Sequence, residues 1–355
     1  MALTLPRGFL TIGLTPGCPA GVGPEVWAKA IEELSSTLPK TTRLRWFASS
    51  ALLLEGARRA GIEAELEKKP DGDVVRIGSA RGSLRVEIAV KDADDRGAHA
   101  KVRVVDDDAL ACQRDALLRA CVAAARGDVH AIVTGPVRKA ALVVNGKHYP
   151  GQTELVHHHL HDDDGPPLMV FAGAPFVLGL FTVHVALAAV PGLVQAAPLE
   201  RAVRRLGEAA RALLGVQRPR IVVLGVNPHA GEGGLFGDEE ERVVKPLLQS
   251  LRDEADFDVD GPVPADGFFA DVARHKKGTS TMRGVHAVLA MHHDQGLAPY
   301  KLLCGGEGVN ITWGLRVPRT SPDHGTADAL AGTGKADASS TIAAVHTALK
   351  LATRN

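Results

Sequence analysis

Apolar and polar positions along the chain alternate between two patterns. Phe9-Leu-Thr-Ile-Gly-Leu14 reads as a first strand, and four later runs are almost continuously apolar: Ala131-Ile-Val133, Phe176 to Val183, Ile221 to Val226 and Ala287 to Ala290. Short runs of this kind predict strands covered on both faces. Leu110, Leu117, Cys121 and Ala124 instead recur on one helical face, which predicts an amphipathic helix over 107–126. Helical patterns also cover 25–36, 50–61, 199–214, 239–253 and 339–352. Strands alternating with helices predict βαβ units, hence an α/β protein with a largely parallel sheet. The polar, Pro- and Gly-bearing stretches 66–101 and 255–283 are expected to be surface segments.

The residues that follow these strands carry the chemical information. Thr134-Gly-Pro136 follows one, His184 lies near the end of the next, Asn227-Pro-His229-Ala-Gly follows the third and His292-His293-Asp294-Gln-Gly the fourth. Ligands of open α/β sheets bind beyond the carboxyl ends of strands, so these segments suggest one shared site. His184, His229 and His293 are the metal candidates: imidazole suits a divalent ion, and three protein ligands leave a position open for substrate. Any one of them alone reads rather as a histidine hydrogen-bonded in a loop, and it is their shared position at strand ends that favours the set as ligands. The run His157-His158-His159-Leu-His161-Asp162-Asp163-Asp164 is a poorer candidate, because consecutive ligands cannot converge on one ion; it reads as a solvated helix end.

Asp294 and Asp266 are candidate proton acceptors beside such an ion, with a loop cap or turn as the competing role. For an anionic substrate group the candidates are Lys301, Asn310 and Arg319, with Gln152 and Thr153, and Lys139 as a further cation. Arginine offers a planar fork to phosphate oxygens and lysine a point charge.

Composition narrows the class. The 355 residues fit two α/β domains, and 41 basic residues balance 41 acidic ones, so no global field favours nucleic acid or an anionic membrane. Cysteines 18, 112, 121 and 304 form no CxxC pair, which fits a reduced, cytoplasmic setting. No signal peptide and no membrane-length apolar run is read in the sequence, so a soluble protein is expected.

Two Gly-rich segments remain. Thr15-Pro-Gly17-Cys-Pro-Ala-Gly21-Val-Gly23-Pro24-Glu25 lies between a strand and a helix and reads either as a ligand-approach loop or as a plain turn. Arg319-Thr-Ser-Pro-Asp323-His324-Gly325-Thr326-Ala-Asp328, with Ala331-Gly-Thr-Gly334, could wrap a dinucleotide with backbone groups.

Taken together, TPGCPAGVGPEV, VTGPVRKAAL, GQTEL, NPHAGEGGLFGDEE, HHDQGLAPYK and GVNITWGLRVPRTSPDHGTADALAGTGKAD, in that order from 15 to 337, resemble the 4-hydroxythreonine-4-phosphate dehydrogenase family. The last segment is also similar to the HGTA-type loop of isocitrate and isopropylmalate dehydrogenases. The resemblance implies an isopropylmalate dehydrogenase-like fold of two α/β/α domains with the active site in a cleft. The domains implied are 1–148 plus 308–355 on the cofactor side, and 149–307 for metal binding and dimerisation. It implies a homodimer sharing one divalent ion (zinc, magnesium or cobalt) on His184, His229 and His293. It implies substrate contacts from Gln152, Thr153, Lys301, Asn310 and Arg319, with Asp294, Asp266 or Lys301 in the proton transfer. NAD or NADP would bind near 308–328, on Asn310, Asp323, His324, Gly325 and Thr326.

The implied reaction oxidises 4-phosphooxy-L-threonine, with decarboxylation, on the route to pyridoxal phosphate. The sequence departs from the family at Gln152, where the family has His, at Cys18, where it has an acid, and at His292, where it has Tyr. The changes at 152 and 18 leave open a dehydrogenase of another phosphorylated four-carbon acid, threonate or erythronate 4-phosphate. A phosphate-dependent acyltransferase on a related fold is the reading from a different class.

Overall fold

The computed structural model describes residues 8–78, 82–90, 101–163, 165–254, 256–275 and 284–354. Residues 79–81, 91–100, 255 and 276–283 of the two expected surface segments, and Asp164 of the histidine–aspartate run, lie outside the described residues.

The chain opens with β1 (Leu10–Thr15), α1 (Gly23–Leu34), β2 (Thr42–Trp46), α2 (Ser50–Ala60), β3 (Ala64–Glu67), β4 (Val74–Ile77) and β5 (Leu84–Ile88). It continues through α3 (Asp107–Arg126), β6 (Ala131–Thr134), a small hairpin β7 (Val143–Val144) and β8 (Lys147–His148), and α4 (Gln152–Leu160). Next come β9 (Leu168–Ala172), β10 (Val177–Leu180), α5 (Val190–Leu193), α6 (Ala196–Leu214), β11 (Arg220–Leu224), α7 (Lys245–Glu254), β12 (Asp258–Val263), α8 (Ala265–His275), β13 (Ala287–Ala290) and α9 (His293–Cys304). The chain ends with β14 (Val309–Trp313), β15 (Arg319–Pro322) and α10 (Ser339–Ala352).

These elements form two compact units, Met1–Pro167 with Val309–Asn355, and Leu168–Gly308. In the first, the strand order is β14-β15-β6-β1-β2-β5-β4-β3. The run from β15 to β5 is parallel, and the outer strands are antiparallel. The second has the order β12-β11-β13-β10-β9, parallel except for β9. Residues 149–167, grouped with the second unit in the sequence-based division, pack with the first: Leu155, Val156 and Leu160 of α4 fill a core with Leu117, Cys121 and Ile132.

Local chemistry sets the element ends. Asp106 caps α3 by accepting the Ala109 N–H at 2.8 Å, Asp107 and Asp108 sit in its first turn, and Gly127 ends it in the left-handed conformation. The second unit buries Phe171 against Tyr300 and Phe176 against Phe268. In the first, Trp27 and Trp46 meet edge to face at 6.2 Å, and Trp27 Nε1 donates to the Thr15 carbonyl at 2.9 Å.

The expectation of surface segments at 66–101 and 255–283 is corrected. The first holds β4 and β5, and the second holds β12 and α8. Charges disguised the strands. Glu65 stands directly opposite Arg76 across β3 and β4 and forms an ion pair with it, while Val75 and Ile77 of β4 are buried. In the outermost strand β12, Asp258 and Asp260 pair with Arg218 and Arg220, and an edge position tolerates Pro262.

Replacing Trp27 by Ala removes one of the largest fully buried side chains together with its hydrogen bond. The unfolding free energy is expected to fall by roughly 3–5 kcal/mol. Urea denaturation followed by circular dichroism checks this.

Candidate active site

In the second unit β11, β13 and β10 lie side by side and parallel, so the loops after them leave the same sheet edge. Those loops carry His229, His292-His293 and His184. Gln295, in the first turn of α9, ties two of them together. Its Oε1 accepts the Met291 N–H at 2.7 Å just past β13, and its Nε2 donates to the Gly225 carbonyl at 2.7 Å just past β11. His292 caps the same helix: its Nδ1 accepts the Gln295 N–H at 3.3 Å. Burial holds the His292 pKa below the ordinary histidine value, with His293 adding to the effect and Asp294 opposing it. That favours the neutral ring, which an acceptor role needs.

The loop after β11 has an unusual backbone. His229, Ala230, Gly231, Glu232 and Gly233 all have positive φ, from 44° to 80°. Left-handed backbone costs a non-glycine residue about 1–2 kcal/mol, so His229, Ala230 and Glu232 need support from outside the loop. Buried Glu240, in the π-helical turn Glu240–Val244 before α7, supplies it: Oε1 accepts the Asn227 N–H at 2.8 Å and Oε2 accepts from Asn227 Nδ2 at 2.9 Å.

His184 and His293 face one another with ring centroids 6.1 Å apart, and His293 Nδ1 lies 2.7 Å from Asp294 Oδ1. The His229 ring packs on Phe236 at 6.1 Å. A cavity of about 620 Å³ is lined by His229, Asp266, His292, Asp294 and Gln295 among others. Both candidate carboxylates therefore reach one cavity in company with a candidate ligand. Lys301 is exposed on α9, about two turns beyond Asp294 and on its side of the helix. Among the described residues no three His, Cys, Asp or Glu side chains gather closely enough to hold an ion. The structure brings the His184 and His293 rings together, and His229 lines the same cavity as Asp294, the partner of His293 Nδ1.

The first unit contains the anion candidates. Arg319 is 2% exposed. Its Nε and Nη2 donate to Thr134 Oγ1 at 3.1 and 2.6 Å, and Nη1 donates to Thr312 Oγ1 at 3.1 Å. Burial pulls the Arg319 pKa down to about 10, against the opposing pull of Cys121 and Glu154, so the group remains a cation at neutral pH. Its hydrogen bonds among the described residues go to hydroxyls, leaving two N–H groups for another acceptor. Thr153 Oγ1 lies 3.5 Å from the same Thr312 hydroxyl, and Gln152 Nε2 donates to the Gly135 carbonyl at 3.1 Å, next to Thr134. The side-chain oxygens of Gln152 and Asn310 are shielded from solvent and have no hydrogen-bond partner among the described residues. Gln152, Thr153 and Arg319 are thus brought together through Thr134 and Thr312, with Asn310 two positions before Thr312 on β14. Lys139 is exposed in a short turn after β6.

The segment 323–328 is braced by the Gly-rich loop before α1. Val22 N–H donates to the Thr326 carbonyl at 3.0 Å, and a Cβ on Gly21 would lie 2.8 Å from that oxygen. Glu25 of α1 accepts the Gly332 N–H at 3.0 Å, and Lys29 donates to the Gly334 and Ala336 carbonyls. Burial raises the Glu25 pKa above the usual carboxylate value, against the pull of the Gly332 N–H. His324 Nε2 is buried without a partner among the described residues, and a Cβ on Gly325 would meet open space. The segment is therefore a rigid, backbone-lined stretch with an unspent imidazole nitrogen.

The sequence reading missed Thr134 and Thr312 as supports of Arg319, Gln295 as the tie between strands, and Glu240 beneath the His229 loop. Only position hinted at them: Thr134 ends a buried strand, and Gln295 sits inside the candidate HHDQG segment.

Comparison with known proteins places the chain in a family. Residues 45–348 match the family of the pyridoxal phosphate biosynthetic protein PdxA. A 4-hydroxythreonine-4-phosphate dehydrogenase from Stenotrophomonas maltophilia strain K279a is 37% identical over 96% of this chain and 97% of its own length. Another, from Xylella fastidiosa strain 9a5c, is 38% identical over 96% of each. The crystal structure of the Klebsiella pneumoniae enzyme of that name superposes with a TM-score of 0.75 at 32% identity, covering 98% of this chain and 99% of that one. With its model matched over most of its length and relatives this similar end to end, the chain belongs to the PdxA family of pyridoxal phosphate biosynthetic proteins.

Proposed function

We propose that this chain oxidises 4-phosphooxy-L-threonine to 2-amino-3-oxo-4-phosphooxybutanoate in an NAD- or NADP-linked reaction. Loss of CO₂ then gives 3-amino-2-oxopropyl phosphate on the way to pyridoxal phosphate. The observation that carries the reading is the buried Arg319 cation, held by hydroxyls with N–H groups to spare: such a charge calls for an anion, and a phosphate matches its fork. Thr153 and Gln152 complete the phosphate's surroundings, and Asn310 contacts substrate and nucleotide. Asp323, His324, Gly325 and Thr326 hold the nucleotide, which makes the first unit the cofactor side.

The second unit holds a divalent ion, zinc, magnesium or cobalt. The His184 and His293 rings, 6.1 Å apart, would help to hold it, and the Asp294 carboxylate on His293 Nδ1 is the partner a ligating imidazole commonly has. In the homodimer that the family resemblance implies, the set with His229 would be completed across two copies. Exposed Leu187, Leu235, Phe236 and Leu302 on these loops and on α9 supply apolar surface for a second copy to cover.

When bound, the ion makes the substrate hydroxyl more acidic and the nicotinamide takes up the hydride. Asp294 and Asp266, facing the same cavity, are the acceptors for the hydroxyl proton, and Lys301 contacts the substrate from α9. Gln152 gives a second reading some support. Its amide donates to phosphate but never becomes cationic, which suits threonate or erythronate 4-phosphate as an alternative substrate.

A spectrophotometric assay of NAD or NADP reduction tests the proposal. Turnover of 4-phosphooxy-L-threonine but not of the phosphorylated tetronates is expected, and the reverse preference selects the second reading. Dialysis against a chelator is expected to abolish turnover, with recovery on adding zinc, magnesium or cobalt. Arg319→Lys keeps the charge but loses the fork, so KM for the phosphorylated substrate should rise about tenfold or more (at least ~1.4 kcal/mol), with a smaller change in kcat. Steady-state kinetics with the variant checks this split.

A further inference from the structure

We propose that Glu240 is a positioning residue that fixes His229 for metal binding; the proposal rests on His229 being a ligand. The case is geometric. Five successive residues from His229 to Gly233 wind left-handed, three of them not glycine. The turn is wrapped around the Glu240 carboxylate, which is fully buried. On one side Asn227, two residues before His229, spends both its backbone N–H and its side-chain amide on the two oxygens of Glu240. On the other side the turn comes so close that a Cβ on Gly231 would lie 2.8 Å from Glu240 Oε2, and one on Gly225 would lie 3.2 Å from Oε1.

Neighbouring groups reinforce the post. Glu239 takes a second bond from Asn227 Nδ2 at 2.7 Å, and Gly237 leaves the room that this amide occupies. A carboxylate is the one side chain of this length whose two oxygens are both acceptors. Glutamine has the same shape but turns an N–H₂ toward one of the two Asn227 donors. The loop then loses an anchor two residues from the His229 ring, and its left-handed backbone is free to relax. Groups that orient a metal-bound histidine typically change metal affinity by about 10–100-fold when altered.

The test is Co²⁺ binding to the full-length protein, by calorimetry and by the visible absorption of the bound ion, for the parent, Glu240→Gln and His229→Ala. Glu240→Gln is expected to weaken Co²⁺ binding at least tenfold and to alter the visible band, while circular dichroism and Tm stay close to the parent. If His229→Ala loses the ion and Glu240→Gln binds within twofold of the parent, the role of Glu240 is overturned and the ligand assignment stands. If both variants bind like the parent, the ligand assignment itself falls, and this inference with it. Should Glu240→Gln fail to fold, Gly231→Ala presses on the same carboxylate from the opposite side. It is expected to weaken binding likewise, and unchanged affinity there overturns the proposal.

Discussion

Because β10, β13 and β11 run parallel and side by side, the chain must emerge three times at one edge of the second unit's sheet. Strand direction thus does the first part of assembling a site: it gathers loops that are far apart in sequence without any contact between their side chains. What remains is to fix the loops. Gln295 does so between β13 and β11, and His292 fixes the start of α9. Glu240 does so for the turn carrying His229. In each case a buried or half-buried polar side chain satisfies backbone groups that a strand end or a helix start leaves unpaired.

The first unit solves a different problem, the enclosure of a positive charge. Arg319 projects from an interior strand, where isolated charge is costly. Hydroxyls of Thr134 and Thr312 offset part of that cost without neutralising it. A carboxylate in their place would neutralise the guanidinium, whereas these hydroxyls leave its charge standing.

Much of the fold could be read from the sequence because its central strands are covered on both faces. The runs at 131–133, 221–226 and 287–290 and the helix at 107–126 all reappear as β6, β11, β13 and α3. The outer strands could not be read this way. In β3, β4 and β12 the informative residues are charges paired with neighbours, Glu65 with Arg76 and Asp260 with Arg220, and a single sequence shows charges without showing their partners. The site divides likewise. The motifs marked His184, His293 and Arg319, the first two of which the fold brings face to face. They were silent on Thr312 and Glu240, whose roles exist only once segments distant in sequence have come together. Spacing along the chain likewise carries no information on which rings face each other, so the 6.1 Å approach of His184 to His293 appears only in the folded protein.

The sheet of the first unit is written in two instalments. β15 takes its place beside β6, and the Arg319–Thr134 bond spans 185 residues, with the whole of the second unit intervening. During synthesis, β6 emerges long before the strand that covers its open side. The second unit's strands are contiguous in the chain and can pair as soon as they leave the ribosome. The Arg319 cluster is consequently among the last features the nascent protein can complete, and a chain truncated before residue 309 would present β6 as a bare sheet edge, open to unwanted pairing.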